Sequence, residues 1–177
     1  MAQQWLTRYQ GLSPSKVRLL LILSGALFTL CFAPFDLFFM AVPAFAVLTL
    51  ALHTAPSWQE GAKAAWLFAW GHYISSLYWI AESFFKQDAV PAFLGPIAVL
   101  LLTAILALYW AVVGGLFVHF RRQGWWNVVL FASLLGVMEW LRATLFTGFP
   151  WNPIGMIWVD WGFGRVASLG GVGMLNY

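Results

Sequence analysis

Glu139 and Arg142 are the two side chains in this sequence whose types and spacing most plainly suit chemistry. They lie three residues apart in a helix-compatible stretch, so their side chains can meet on one face. Ionisable groups in an apolar helix usually pair with one another or line a polar cavity, and they read as functional candidates. The alternative is that they cap the helix and hold the loop that follows. Cys31 is the only thiol, and no Lys, Arg or His lies within a helical turn of it to stabilise a thiolate. It is expected to be a packing residue, and the chain holds no cysteine-rich metal site. His72 sits beside an aromatic stripe of Trp66, Trp70, Tyr73 and Leu77, with Trp79 and Glu82 further on. No second His or carboxylate stands three or four residues away to complete a metal site, so His72 is expected to be a packed, hydrogen-bonded side chain.

The elements that must position these residues are apolar throughout. Of the 177 residues, 62% are hydrophobic and 8% charged, with a mean hydropathy of +0.81. A soluble domain carries roughly 25% charged residues, so the composition implies a membrane protein. The net charge of +3 is dispersed, with no run of like charges to suit nucleic acid.

The charged residues divide the chain into blocks that set the expected fold: all-α, a polytopic integral membrane protein with five complete transmembrane helices plus a truncated sixth. The expected spans are residues 17–33, 37–53, 58–85, 95–120 and 125–143, followed by an interfacial aromatic loop over 144–164 and a partial span over 166–177. Ser13-Pro14 reads as a helix start, and Ser57-Trp58-Gln59-Glu60 has the spacing of a capping box. The first block runs too long, and lacks the small-residue site, for a cleaved signal peptide, so it reads as an uncleaved first span. Thr103, Ala107, Ala111 and Gly115 recur every four residues and predict close helix packing. The last block has about a dozen residues against the roughly 20 that a crossing needs. The chain is therefore expected to end inside its sixth span.

Basic residues near span ends set the orientation. Arg8, Lys16, Arg18, Lys63, Arg121 and Arg122 fall on one side, and Lys86, Arg142 and Arg165 on the other, with Asp36, Glu82, Asp88, Glu139 and Asp160. The N-terminus is expected in the cytoplasm. After Arg142 comes Thr147-Gly148-Phe149-Pro150-Trp151-Asn152-Pro153-Ile154-Gly155. Two prolines forbid a regular helix there, and the Trp and Phe rings suit the headgroup level. Such a segment is tolerated in a membrane only where protein or the interface covers it. A lipid-binding, lid-like surface and an inert interfacial anchor both fit it.

Glu139-Trp140-Leu141-Arg142 followed by Phe146-Thr147-Gly148-Phe149-Pro150-Trp151 resembles the E-(F/W)-L-R and T-G-F-P-W signature of the apolipoprotein N-acyltransferases of the bacterial cytoplasmic membrane. Phe32-Ala33-Pro34-Phe35-Asp36, and Trp70-Gly71 through Tyr78-Trp79, match the same family more weakly. The resemblance implies an enzyme that takes an acyl chain from a phospholipid, typically phosphatidylethanolamine, onto a cysteine as a thioester. The acyl group then passes to the α-amino group of the diacylglyceryl-cysteine that begins an apolipoprotein. Its catalytic Glu, Lys and Cys belong to a nitrilase-like domain inserted before the final span, and no position here matches them. Cys31 is not that nucleophile.

The resemblance thus implies no catalytic residue in these 177 residues, no cofactor and no metal. The chain alone is expected to be inactive, anchoring the protein in the cytoplasmic membrane and positioning lipid. Glu139, Arg142, Thr147, Gly148, Phe149, Pro150 and Trp151 are the candidates for that positioning. The implied partners are the phospholipid acyl donor and the diacylglyceryl apolipoprotein. Two other readings stay open: a small transporter subunit, which would want mid-bilayer charges and internal repeats, and a non-enzymatic membrane scaffold.

Overall fold

The computed structural model describes residues 7, 9–86, 91–145, 148 and 151–159. Six α-helices are described. In chain order they are α1 (Pro14–Thr29), α2 (Ala41–Thr54), α3 (Trp58–Leu77), α4 (Ile80–Phe85), α5 (Leu94–Phe120) and α6 (Trp126–Thr144). Short 3-10 turns cover Phe38–Met40 before α2 and Ile154–Trp158 after α6. The fold is all-α, but the expected set of five complete crossings and a sixth does not stand. Among the described residues, only α5, with 27 residues and a mean hydropathy of 2.5 over its 18-residue window, and α6, with 19 residues and 1.2, are long and apolar enough to cross a membrane. At 1.5 Å per residue they reach about 40 Å and about 28 Å, against a hydrocarbon core of about 30 Å.

The other blocks fall short for visible reasons. The expected first span stops four residues early, at Thr29. Leu30, Cys31 and Phe32 each donate a backbone N–H three residues back, and Leu37 N–H returns to the Leu30 carbonyl at 2.9 Å, closing a tight reversal. What remains is α1, with 16 residues. After that reversal a 3-10 turn consumes the start of the second block, leaving 14 residues for α2. The third block is two helices, because the chain breaks between Leu77 and Ile80. Its longer piece, α3, carries Glu60, Lys63, His72 and several Gly and Ser residues. The partial span expected over 166–177 lies outside the described residues.

Helix starts follow local chemistry. Pro14 opens α1, where a missing N–H does no harm. Ser57 Oγ accepts the Glu60 N–H at 3.4 Å at the start of α3. The C-terminus of α2 is closed from a distance: Arg121, just past α5, donates to the carbonyls of Leu52, His53 (2.9 Å) and Ala55 (2.8 Å). Orphan carbonyls at a helix end are thereby satisfied by a cation, which also suits the negative end of the dipole.

α3 lies at the centre, packed chiefly against α5 on one side and α1 on the other. Small residues set the distances. A Cβ on Gly61 would lie 2.8 Å from the Gly114 carbonyl oxygen, so α3 and α5 touch nearly backbone to backbone. On the other flank, a Cβ on Gly71 would crowd the Ile22 carbonyl of α1. In the small-residue stripe of α5, Thr103, Ala107 and Gly115 are buried, but the tightest approach falls at Gly114, one residue away. Trp66 Nε1 donates across the same seam to the Ala104 carbonyl at 3.0 Å. The core is aromatic, with Phe28, Phe45, Phe68 and Trp110 in mutual contact.

Outward faces are apolar as well. On α5, Leu101 (61% exposed), Ile105 (60%) and Val112 (60%) point away from the bundle. A contiguous exposed apolar face of this kind needs a cover.

Candidate functional site

α6 carries Glu139 and Arg142 into the bundle. Their side chains are among the best-buried polar groups of the fold, 5% and 1% exposed. Arg142 Nη2 donates to Glu139 Oε2 at 2.8 Å. Spacing of three residues on one helix brings the pair together, and burial by Tyr73 and its neighbours keeps water out. The guanidinium also sits over the Tyr73 ring, 5.9 Å from its centroid. That ring is held in turn, its hydroxyl accepting from Trp110 Nε1 at 3.2 Å.

The pair reaches beyond its own helix. Arg142 Nη1 donates to the Trp151 carbonyl at 2.7 Å, and Glu139 Oε2 accepts the Ile154 N–H at 3.3 Å. One charge of each sign therefore grips one backbone group of the segment after α6. Such charge-assisted bonds are roughly twice as strong as neutral ones. Two ring contacts complete the fastening: Trp151 on Trp79 at 5.2 Å between centroids, and Trp158 on Phe38 at 6.0 Å. Ile157 is buried in the core below. The chain is turned back over this end of the bundle instead of leaving it.

Gly148 makes the reversal possible. Its φ is +77°, in the left-handed region, and its N–H closes a turn on the Leu145 carbonyl at 2.8 Å. A Cβ there would lie 3.0 Å from the Ala143 carbonyl carbon. Asn152 takes the same backbone region, at φ 46°, which Asn tolerates better than most residues.

Of the seven candidates from the sequence, Glu139, Arg142 and Trp151 are thus brought together, and Gly148 sits in the turn after α6. Thr147, Phe149 and Pro150 lie outside the described residues. Cys31 is buried, its Sγ 3.7 Å from the Phe38 carbonyl oxygen, at the α1–α2 reversal. His72 is buried between α3 and α1. Its Nδ1 lies 3.0 Å from Thr29 Oγ1, and Phe28, Phe32 and Tyr73 surround the ring. Sequence reasoning placed Tyr73 on a stripe with Trp79 further on, but did not connect them to the ion pair or its segment. It missed Trp110 as the donor to Tyr73 altogether. An apolar helix offers no periodic signal that singles out one Trp whose N–H has a partner.

A central helix flanked by close-packed neighbours, with apolar outward faces and a buried ion pair tying down a Trp- and Pro-rich segment, defines an all-α bundle built to be covered by apolar surroundings. The chain belongs to the family described as the apolipoprotein N-acyltransferase N-terminal domain, whose model matches residues 24–177. It is 35% identical over 142 residues to the apolipoprotein N-acyltransferase of Brucella melitensis, covering 75% of this chain and 27% of that protein. The enzymes of that name from Rhizobium rhizogenes (32% over 149 residues, 79% of this chain, 28% of the relative) and Rhizobium meliloti (32% over 142 residues, 75% and 27%) are similar to it. The chain thus spans about a quarter of the length of the curated relatives it matches.

Proposed function

We propose that this chain forms the membrane-embedded part of an apolipoprotein N-acyltransferase in the bacterial cytoplasmic membrane, and that its Glu139–Arg142 pair serves lipid handling by holding residues 151–159 over the end of the bundle. Family membership supports the reaction class, and the apolar outward faces of α5 and α6 support embedding. The single observation that carries the role of the pair is its double grip on Trp151 and Ile154. A structural helix cap would not need a carboxylate and a guanidinium together, both buried and both aimed at one returning segment.

The reaction belongs to the family-length protein. An acyl carbonyl leaves its phospholipid ester for a thiolate, releasing lysophospholipid, and the resulting thioester is then attacked by the α-amino group of the diacylglyceryl apolipoprotein, which releases the thiol. In this reading the present residues do neither step. They fix where the donor lipid lies, with the Trp79–Trp151 contact at headgroup level and residues 151–159 as its floor or lid. The N-terminus and the Arg121-Arg122 end lie in the cytoplasm, and the fastened segment lies on the outer side.

Arg142→Ala in the family-length protein tests the role. Acylation of a diacylglyceryl lipopeptide falls, while the protein still fractionates with membranes. Turnover equal to the unsubstituted protein would remove the lipid-handling role from the pair and leave it a structural tie.

A further inference from the structure

The end of the bundle opposite Glu139 and Arg142 holds a cavity of about 320 Å³, walled by the starts of α1 and α3 and the end of α2. Its floor is apolar, with Leu21 from α1 and Leu67 from α3. Its rim carries two cations from different helices, Arg18 and Lys63, together with the hydroxyl-bearing side chains Tyr9 and Thr54. Among the described residues, Lys63 pairs with Glu60 alone, at 3.7 Å, and both side chains are about half exposed. An exposed pair of that kind is worth little and reorganises readily. Among the described residues, Arg18 has no ion-pair partner.

Charge around the cavity is one-sided. The fold gathers Lys16, Arg18, Lys63, Arg121 and Arg122 at this end, with Glu60 the one acid among the described residues there. Arg121 belongs to the group through its bond to the carbonyl of Ala55, itself part of the cavity wall. Cationic rim and apolar floor together suit a ligand with an anionic head and a hydrocarbon tail. The volume admits a headgroup and the first methylenes, which would lie against Leu21 and Leu67. Basic pockets between helices on the cytoplasmic side of a membrane are known binding places for acidic lipid headgroups.

The geometry points to a binding site for an acidic phospholipid in this cavity, its phosphate between Arg18 and Lys63 and its first methylenes against Leu21 and Leu67. The site is separate from the lipid-handling end, by nearly the full length of α6, and binds a lipid that is held and not consumed. It rests on the membrane reading above, and the test separates the two.

The chain is reconstituted into phosphatidylcholine nanodiscs doped with phosphatidylglycerol, re-extracted in mild detergent, and its retained lipid counted by mass spectrometry. Phosphatidylglycerol is retained above its share of the disc, and the double substitution Arg18→Gln with Lys63→Gln lowers that retention by about thirtyfold, two cations' worth of surface attraction. Lys16→Gln, outside the wall, leaves it unchanged. Equal retention by the double variant, or an equal loss in Lys16→Gln, overturns the site in favour of diffuse surface charge. Inorganic phosphate in millimolar excess does not displace the lipid; displacement would make the site one for free phosphate. Failure of the chain to enter discs at all would sink the membrane reading, and this site with it.

Discussion

Glu139 and Arg142 satisfy each other and one backbone group apiece, which sets what each substitution should do. Removing one partner of a buried pair leaves an uncompensated charge and costs on the order of 3–5 kcal/mol. Arg142→Ala is therefore expected to lower the midpoint of thermal unfolding in detergent, in parallel with its loss of acylation in the family-length protein. Arg142→Lys keeps the charge but gives up the planar fork that reaches Glu139 and the Trp151 carbonyl at once. It should recover part of the stability and little of the hold on the segment, read as faster proteolysis near Asn152. Gly148→Ala acts on the same segment through the backbone alone. At φ +77° a Cβ is strained, so a loss of about 1 kcal/mol or more is expected in the same unfolding measurement. The pair itself was legible from the sequence, because three-residue spacing on a helix settles adjacency. What it holds was not, since Trp151 and Ile154 reach it only after the turn at Gly148.

Among the helices, contact distance is decided by residues without bulk. Gly61 and Gly114 let α3 and α5 approach until a single added carbon would meet backbone. Gly61→Leu should therefore push the helices apart, at a cost of about 1–3 kcal/mol from overpacking, and weaken the Trp66–Ala104 bond that crosses the same seam. Thermal unfolding gives the cost, and the tryptophan emission shift reports the seam. Arg121→Ala should release three carbonyls at the end of α2 and fray that helix, seen as accelerated amide exchange over Leu52 to Ala55. The sequence marks Arg121 only as a basic residue near the end of a span. The structure gives it to a neighbour instead, a choice that depends on where α2 and α5 cross and not on local spacing. The small-residue stripe had the same limit: its helix was right, but the closest point lies one residue off the four-residue register, at Gly114.

At the scale of the whole molecule, apolar blocks overstate membrane crossings. Five blocks pass a count of apolar residues, yet among the described residues only α5 and α6 are single helices of sufficient length and hydropathy. Reversal at residues 30–37 and the break after Leu77 divide the rest. The proposed orientation puts the Arg121-Arg122 turn in the cytoplasm and the Trp151 segment outside. A periplasm-dependent reporter inserted after Val159 should then be active in intact cells, and one inserted at Gln123 silent; the reverse pattern would invert the topology.

Composition and spacing alone established that this chain is helical and apolar, where several helices begin, and that Glu139 and Arg142 share a face. Those properties follow from residue type and from the 3.6-residue repeat, which act within a few positions along the chain. Tertiary structure alone decided the rest: that the pair grips a returning backbone, that Tyr73 and Trp110 support it, and that Arg121 closes a helix nearly seventy residues earlier, a separation of 69 positions from Leu52. Such contacts depend on how helices cross. Crossing is governed by close packing of small and aromatic surfaces whose partners lie far apart in the chain.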